Sequence, residues 1–297
     1  MTPRCVLTIA GSDSGGGAGI QADLATFATF GVHGATAVTA LTAQNTIGVQ
    51  GVYAVPAAFV DLQLQSVLTD FTVAAAKTGM LATAAIVELV ARRGAAGKLV
   101  NLVVDPVMVA TSGDRLLDPD AERAYLESLF PHALVVTPNV PEAEALVGRP
   151  LVTIGDLMDA ARELHSYGPR YVVVKGGHLD GEESIDVVFD GSSIELLHAR
   201  RVASRNTHGT GCTFSAAVAA RLALGDRPDE AIAVAKRYVT DAIASAAVWR
   251  LGHGHGPVDH FQAGNTPVRA PRIPTSPALP TDPPADLPID LPTGDRP

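Results

Sequence analysis

Short apolar runs rich in Val, Leu and Ile alternate along the chain with longer segments whose apolar positions recur at helical spacing. Residues 5–10 read as a buried strand, and 18–30 as a helix because Ile20, Leu24, Phe27 and Phe30 fall on one face. The same pattern predicts strands over 35–41, 73–77, 102–105, 134–137 and 171–175, with helices over 56–71, 82–93, 119–130 and 154–167. Two further strands, 185–189 and 193–197, flank Asp190-Gly191, a hairpin turn signal. Helices over 213–223 and 229–249 close the pattern. Strand–helix alternation of this kind predicts an α/β fold, a mostly parallel sheet flanked by helices, with a small antiparallel addition. Ligands of such sheets bind beyond the carboxyl ends of the strands, so the loops after the strands are where chemistry is expected. Composition changes after Phe261: ten of the 21 prolines fall in the last 36 residues. That density suits neither helix nor ladder, so a folded domain over 1–261 and a disordered, proline-rich tail over 262–297 are expected.

With 47% hydrophobic and 18% charged residues, disorder throughout is excluded. A net charge of -9, with four Lys against eighteen Arg, makes a nucleic-acid partner unexpected. Asp, Pro, Arg or Gly interrupts every apolar run before the roughly 18 residues of a membrane span, so no membrane association is expected. The opening apolar run is too short for a secretory core. Cys5 and Cys212 lie far apart without zinc-like spacing, so neither a disulfide framework nor a metal knuckle is expected. Together these predict a cytoplasmic protein.

Two glycine-containing stretches carry candidate chemistry. The first strand runs into the glycine-rich stretch Gly11 to Gly19, where Gly17, Gly19 and Ala22 satisfy GxGxxA. A dinucleotide site also needs an acidic residue about 20 positions on, and none lies between Asp23 and Asp61. No GxxxxGK[ST] is present either, so a nucleoside triphosphate needs another anion site. Asn206-Thr207-His208-Gly209-Thr210-Gly211-Cys212 supplies a candidate, because its glycines free backbone N–H groups at the positive end of the following helix. A thiol there is expected to have a lowered pKa and to be able to take a proton from a hydroxyl. The alternative is a small buried hydrophobe.

Asp105 ends the run Leu102-Val103-Val104, and Asn139 and Glu142 follow the next strand. Hard oxygen donors of this kind suit Mg²⁺ shared with phosphates. Asn139 and Glu142 also have the spacing of an N-cap and its partner. Lys175, one of only four lysines, closes a Val-rich strand and is a candidate phosphate ligand. The dense histidines of His253-Gly254-His255-Gly256-Pro257-Val258-Asp259-His260 share no face, so this stretch reads as a closing loop, not a metal site.

These residues resemble the hydroxymethylpyrimidine/phosphomethylpyrimidine kinases of thiamin biosynthesis, within the ribokinase-like superfamily. The resemblance runs from Val6 to about Phe261. It rests on Ala10-Gly11-Ser12-Asp13-Ser14 with Gly16 to Asp23, on Thr39 to Thr46, Lys77-Thr78-Gly79-Met80-Leu81 and Asp105-Pro106-Val107-Met108. Thr137-Pro138-Asn139 with Glu142 and His208-Gly209-Thr210-Gly211-Cys212 complete it. Most of the superfamily carries Asp where this chain has Cys212, and the cysteine is similar to the pyrimidine-kinase branch.

The resemblance implies a ribokinase-like three-layer fold, a homodimer, and ATP-dependent phosphorylation of 4-amino-5-hydroxymethyl-2-methylpyrimidine to its monophosphate and then its diphosphate. It implies Cys212 as base, with Gly209 and Gly211 in the anion hole. Gly11, Gln44, Met80 and Val107 would meet the pyrimidine, Gln44 through its carboxamide, and Asp23 would fix the glycine loop over the ring or accept from an amino group. Asp105, Asn139, Lys175, Thr207 and His208 would hold ATP, and Asp105 and Glu142 the Mg²⁺. Rival readings are a pyridoxal kinase of the same superfamily and a catalytically silent pyrimidine-binding sensor.

Overall fold

The computed structural model describes residues 2–108 and 121–261. The first strand, β1 (Cys5–Asp13), is buried along nearly its whole length, as its unbroken apolar run requires. It pairs in parallel with β2 (His33–Gln44) on one side and β4 (Val73–Thr78) on the other. Parallel pairing continues through β5 (Val103–Val104), β6 (Val135–Val136) and β7 (Tyr171–Val174). Antiparallel strands close both edges: β3 (Val49–Ala54) beside β2, and the hairpin β8 (Glu183–Phe189) and β9 (Ile194–Arg200) beside β7. The order β3-β2-β1-β4-β5-β6-β7-β8-β9 therefore reverses direction at β1, where the loops after β1 and β4 part and leave a crevice.

Alternate strand residues feed two cores. Leu7, Ile9, Ala76, Val104, Val136, Val172 and Val174 face one layer of helices. That layer comprises α2 (Ala57–Asp70), α3 (Ala84–Ala95), α5 (Val140–Val147) and α6 (Ile154–His165). Val6, Ala75, Val103, Val135 and Val173 face the other, made by α1 (Gly19–Thr29), α7 (Thr210–Leu224) and α8 (Pro228–Ala246). The result is the expected three-layer sandwich. In α7 the side chains of Ala216, Ala217, Ala219 and Ala220 are fully buried, which lets the helix axis lie close to the sheet and brings its first turn to the strand ends.

Several boundaries differ from expectation. The edge strand β3 was not expected: five of its six residues are exposed, so it lacks the apolar alternation that marks a half-buried strand. The helix expected over 119–130 is instead α4 (Ala121–Ala124), a π-helical turn Tyr125–Leu129 and a 3₁₀ turn Phe130–His132. Residues 119 and 120 lie outside the described residues. Helix α7 begins at Thr210, three residues before the expected start, so Cys212 belongs to its first turn. The unit Met1–Gly264 carries every element named here, while the proline-rich stretch 262–297 lies outside the described residues.

Candidate active site

A cavity of about 620 Å³ opens at the carboxyl ends of the parallel strands. Gly11, Gln44, Met80, Val107, Asp105, Asn139, Glu142, Lys175, Thr207, His208, Gly209, Gly211 and Cys212 all line it. Of the residues that the resemblance assigns to the site, Asp23 does not.

Asp23 instead lies fully buried beneath the site. Lys77 Nζ donates to its two carboxylate oxygens at 2.8 and 2.9 Å, and Thr8 Oγ1 donates at 2.6 Å. Burial pushes the Asp23 carboxyl up while Lys77 pulls it back, and Asp23 in turn holds the Lys77 ammonium above its ordinary range against burial. Three donor hydrogen bonds on one carboxylate define an ion pair with no oxygen turned to the cavity.

The residue at the mouth of β1 that sequence reasoning missed is Asp13. Its Oδ1 accepts from the Gly15 amide at 2.8 Å, and its Oδ2 from Gly17 and Ala18 at 3.0 and 2.9 Å. Oδ2 also lies 2.9 Å from His208 Nε2. Burial opposes ionisation, yet His208 and these amides hold the Asp13 carboxyl below its ordinary range. The glycines are needed where the two loops meet: Gly209 has φ of 80°, and a side chain there would overlap the Gly17 carbonyl. Gln44 Nε2 lies 3.4 Å from the same His208 nitrogen, and its Oε1 accepts from Thr42 Oγ1 at 3.1 Å. A carboxylate can only accept, so the His208 nitrogen that meets Asp13 is a donor there and not an acceptor for the Gln44 amide.

Past this end, the first turn of α7 lines the cavity through Thr210, Gly211 and Cys212, its early N–H groups beyond the reach of intrahelical partners. Gly211 sits so close to Lys175 that a Cβ would lie 3.1 Å from Nζ. Lys175 Nζ is 2.8 Å from Asp105 Oδ1, which also accepts from Thr137 Oγ1 at 3.1 Å. Asn139 and Glu142 form the capping box of α5: Glu142 N donates to Asn139 Oδ1 at 2.9 Å and Asn139 N to Glu142 Oε2 at 2.7 Å. Both still face the cavity, so the capping role and a ligand role are compatible. Burial pushes Glu142 up to about 8; Lys175 pulls it down and the Asp105 charge pushes it further up.

At the far end Lys236 Nζ is 2.9 Å from Asp186 Oδ1, and Gly176 N donates to the same oxygen at 3.0 Å. Three of the four lysines thus stand at or under this cavity, each held by an aspartate. Scarcity of lysine was a usable signal for all three, though it was applied only to Lys175.

Cys212 corrects one expectation. Burial pushes its thiol up to about 11, despite the downward pull of Lys77 and of the Gly19 amide. The helix start does not overcome desolvation, and the free protein carries a neutral thiol. Cys5, in β1, is buried. Among the described residues no group of three His, Cys, Asp or Glu side chains could hold a metal ion, while Asp105 and Glu142 both line the cavity. In the stretch 253–260, His260 Nε2 is 2.9 Å from Thr213 Oγ1.

Sheet order, helix start and converging charges define a ribokinase-like fold. The chain belongs to the phosphomethylpyrimidine kinase family, whose sequence model matches residues 13–259. It is similar to a hydroxymethylpyrimidine/phosphomethylpyrimidine kinase of Rhizobium meliloti, 51% identical over 86% of this chain and 96% of that protein. It is also 51% identical, over 87% of its own length, to a thiamine biosynthesis bifunctional protein of Geobacter sulfurreducens, of which it spans 52%. Among solved structures, an ADP complex of Bacillus subtilis pyridoxal kinase superposes with a TM-score of 0.80 at 41% identity, covering 87% of this chain and 98% of that one.

Proposed function

We propose that the chain phosphorylates 4-amino-5-hydroxymethyl-2-methylpyrimidine from ATP, first to the monophosphate and then to the diphosphate. The observation that carries this reading is the placement of Cys212 in the first turn of α7, lining one cavity with Gln44 on one side and Lys175, Asp105 and Glu142 on the other. Gln44 offers donor and acceptor to one ring edge, while Met80, Val107 and Gly11 form its apolar walls. The transferred phosphoryl lies against the α7 start between Gly209 and Cys212, with Thr207, His208, Asn139 and Lys175 toward the nucleotide. Cys212 accepts the hydroxyl proton as the oxygen attacks the γ-phosphorus of ATP, whose bond to the bridging oxygen breaks to release ADP. Its resting thiol is neutral, so catalysis draws on the small thiolate fraction, which rises with pH.

Asp105 and Glu142 supply the hard oxygens that Mg²⁺ takes, one or two carboxylates being its usual protein share beside phosphates and waters. Burial disfavours the charged form of Glu142, and a cation bound beside it would offset that penalty by displacing the proton. Bound there, the ion would neutralise charge on the phosphates. Residues 1–261 form the catalytic unit in this reading. Two free thiols fit a cytoplasmic setting, and exposed Leu41, Val52 and Tyr53 at the β2–β3 edge suit a homodimer.

The likeness to the Bacillus pyridoxal kinase favours a second reading, pyridoxal phosphorylation in the same cavity. ATP turnover with each alcohol, followed by mass analysis of the products, decides between them. Preference for the pyrimidine with addition of one and then two phosphates supports the proposal, and turnover of pyridoxal alone refutes it.

A further inference from the structure

The glycine–histidine stretch near the end of the described chain does not itself line the cavity, yet it joins two of its walls. Thr46, two residues past Gln44, is its anchor. Its Oγ1 accepts from the amides of His253 and Gly254 at 3.2 and 3.1 Å, and its carbonyl accepts from His255 N at 2.8 Å. One residue on, the Gly256 carbonyl accepts from His208 N at 3.0 Å, within the anion loop. Arg205 donates to the His253 carbonyl at 3.2 Å. Asn206 Nδ2 ties the same loop to the end of α8 through the carbonyls of Ala246 and Trp249, at 2.6 and 3.2 Å.

The interleaved glycines are what let the segment lie this close. A side chain at Gly254 would overlap the Thr46 carbonyl, one at Gly252 would overlap Thr46 Oγ1, and one at Gly256 the Asn206 carboxamide. The contacts thus explain the spacing of the three glycines without any metal.

We propose that Thr46 is a positioning residue. Through the strap 252–256 it fixes the spacing between the pyrimidine wall at Gln44 and the phosphoryl wall at His208 to Cys212. The inference rests on the kinase reading above for what the two walls do. Gln44 ends β2 and His208 stands just before α7, 164 positions away in sequence. Phosphoryl transfer depends mainly on positioning, and misplacement by about 1 Å costs on the order of 10²-fold in rate. A strap that sets the distance between walls therefore acts on turnover more than on the binding of either substrate.

The test compares Thr46→Val, which keeps the shape and removes the acceptor, with Thr46→Ser, which keeps the acceptor, in the full chain. Steady-state kinetics should show kcat lowered about 10- to 10²-fold in Thr46→Val with the KM for ATP unchanged, and near-parental kcat in Thr46→Ser. Hydrogen exchange of the unliganded proteins should show faster exchange over 207–212 in Thr46→Val only. Parental kcat in Thr46→Val, or exchange over 207–212 that does not respond, would overturn the proposal. So would a kcat loss that Thr46→Ser does not repair. Gly254→Ala approaches the same contact from the strap side and should reproduce the exchange result if Thr46→Val folds poorly. A parent chain that phosphorylates neither alcohol would sink the kinase reading, while the exchange comparison would still decide the strap.

Discussion

His208 Nε2 lies 2.9 Å from Asp13 Oδ2, a contact between residues 195 positions apart that fastens the glycine loop after β1 to the loop that opens α7. Asparagine at position 13 keeps one acceptor but turns an N–H₂ toward donors, stranding amides that the carboxylate satisfied. Asp13→Asn is expected to cost about 1–3 kcal/mol at neutral pH. Because the folded carboxyl is held below its ordinary range, that advantage is present above the unfolded pKa of about 4 and fades as pH falls through the folded one. Urea unfolding of parent and variant at pH 7 and pH 3 checks this, and an equal gap at both would contradict it.

Lys77 and Asp23 form a pair with no exposed side-chain surface. Removing one charge strands the other, so Lys77→Met should destabilise by about 3–5 kcal/mol, and adding Asp23→Asn should recover part of the loss. Folded Asp23→Asn should bind the pyrimidine with unchanged affinity, because its carboxylate does not reach the cavity. Denaturant titration and calorimetry test the two halves, and a weakened pyrimidine would return Asp23 to the binding site.

The fate of Asp23 shows what was legible in the sequence. Strands such as Tyr171–Val174 announce themselves by continuous apolar runs, because both faces are buried, and the helices by period. Motifs at strand ends were legible too, since topology sends every such loop to one edge of the sheet. Pairings across the chain were not. An aspartate beside glycines looks the same whether it meets a ligand or a lysine 54 positions away. Asp13 was passed over inside a glycine run, although its partner His208 had been singled out. The thiol of Cys212 was misjudged because sequence reveals the helix start and hides the burial that opposes it.

Glu142 should make stability fall with rising pH. Its folded pKa of about 8 exceeds the unfolded one, so the folded state holds the proton more tightly and loses ground between roughly pH 4.5 and 8, with no further loss above. Glu142→Gln stays neutral and keeps a carbonyl for the Asn139 amide. Its melting temperature relative to the parent should rise from pH 5 to pH 8 in metal-free buffer. A constant difference would show that Glu142 ionises normally.

Gln44→Ala removes the one carboxamide at the pyrimidine end. Pyrimidine affinity should weaken by about 1–3 kcal/mol, the cost of an unpaired polar edge, with ATP affinity unchanged. Calorimetry with each ligand separates the two, and parental pyrimidine affinity would remove Gln44 from the site.

The central claim is that Cys212 accepts the substrate proton, and the pH profile of kcat for Cys212→Ala beside the parent tests it most directly. The parent should rise with pH through the neutral and mildly alkaline range, because its thiol ionises only near about 11. Cys212→Ala should lose that rise and fall about 10²- to 10⁴-fold at saturating substrates. A variant that matches the parent at every pH would show that Cys212 is only packing at a helix start and that another group takes the proton.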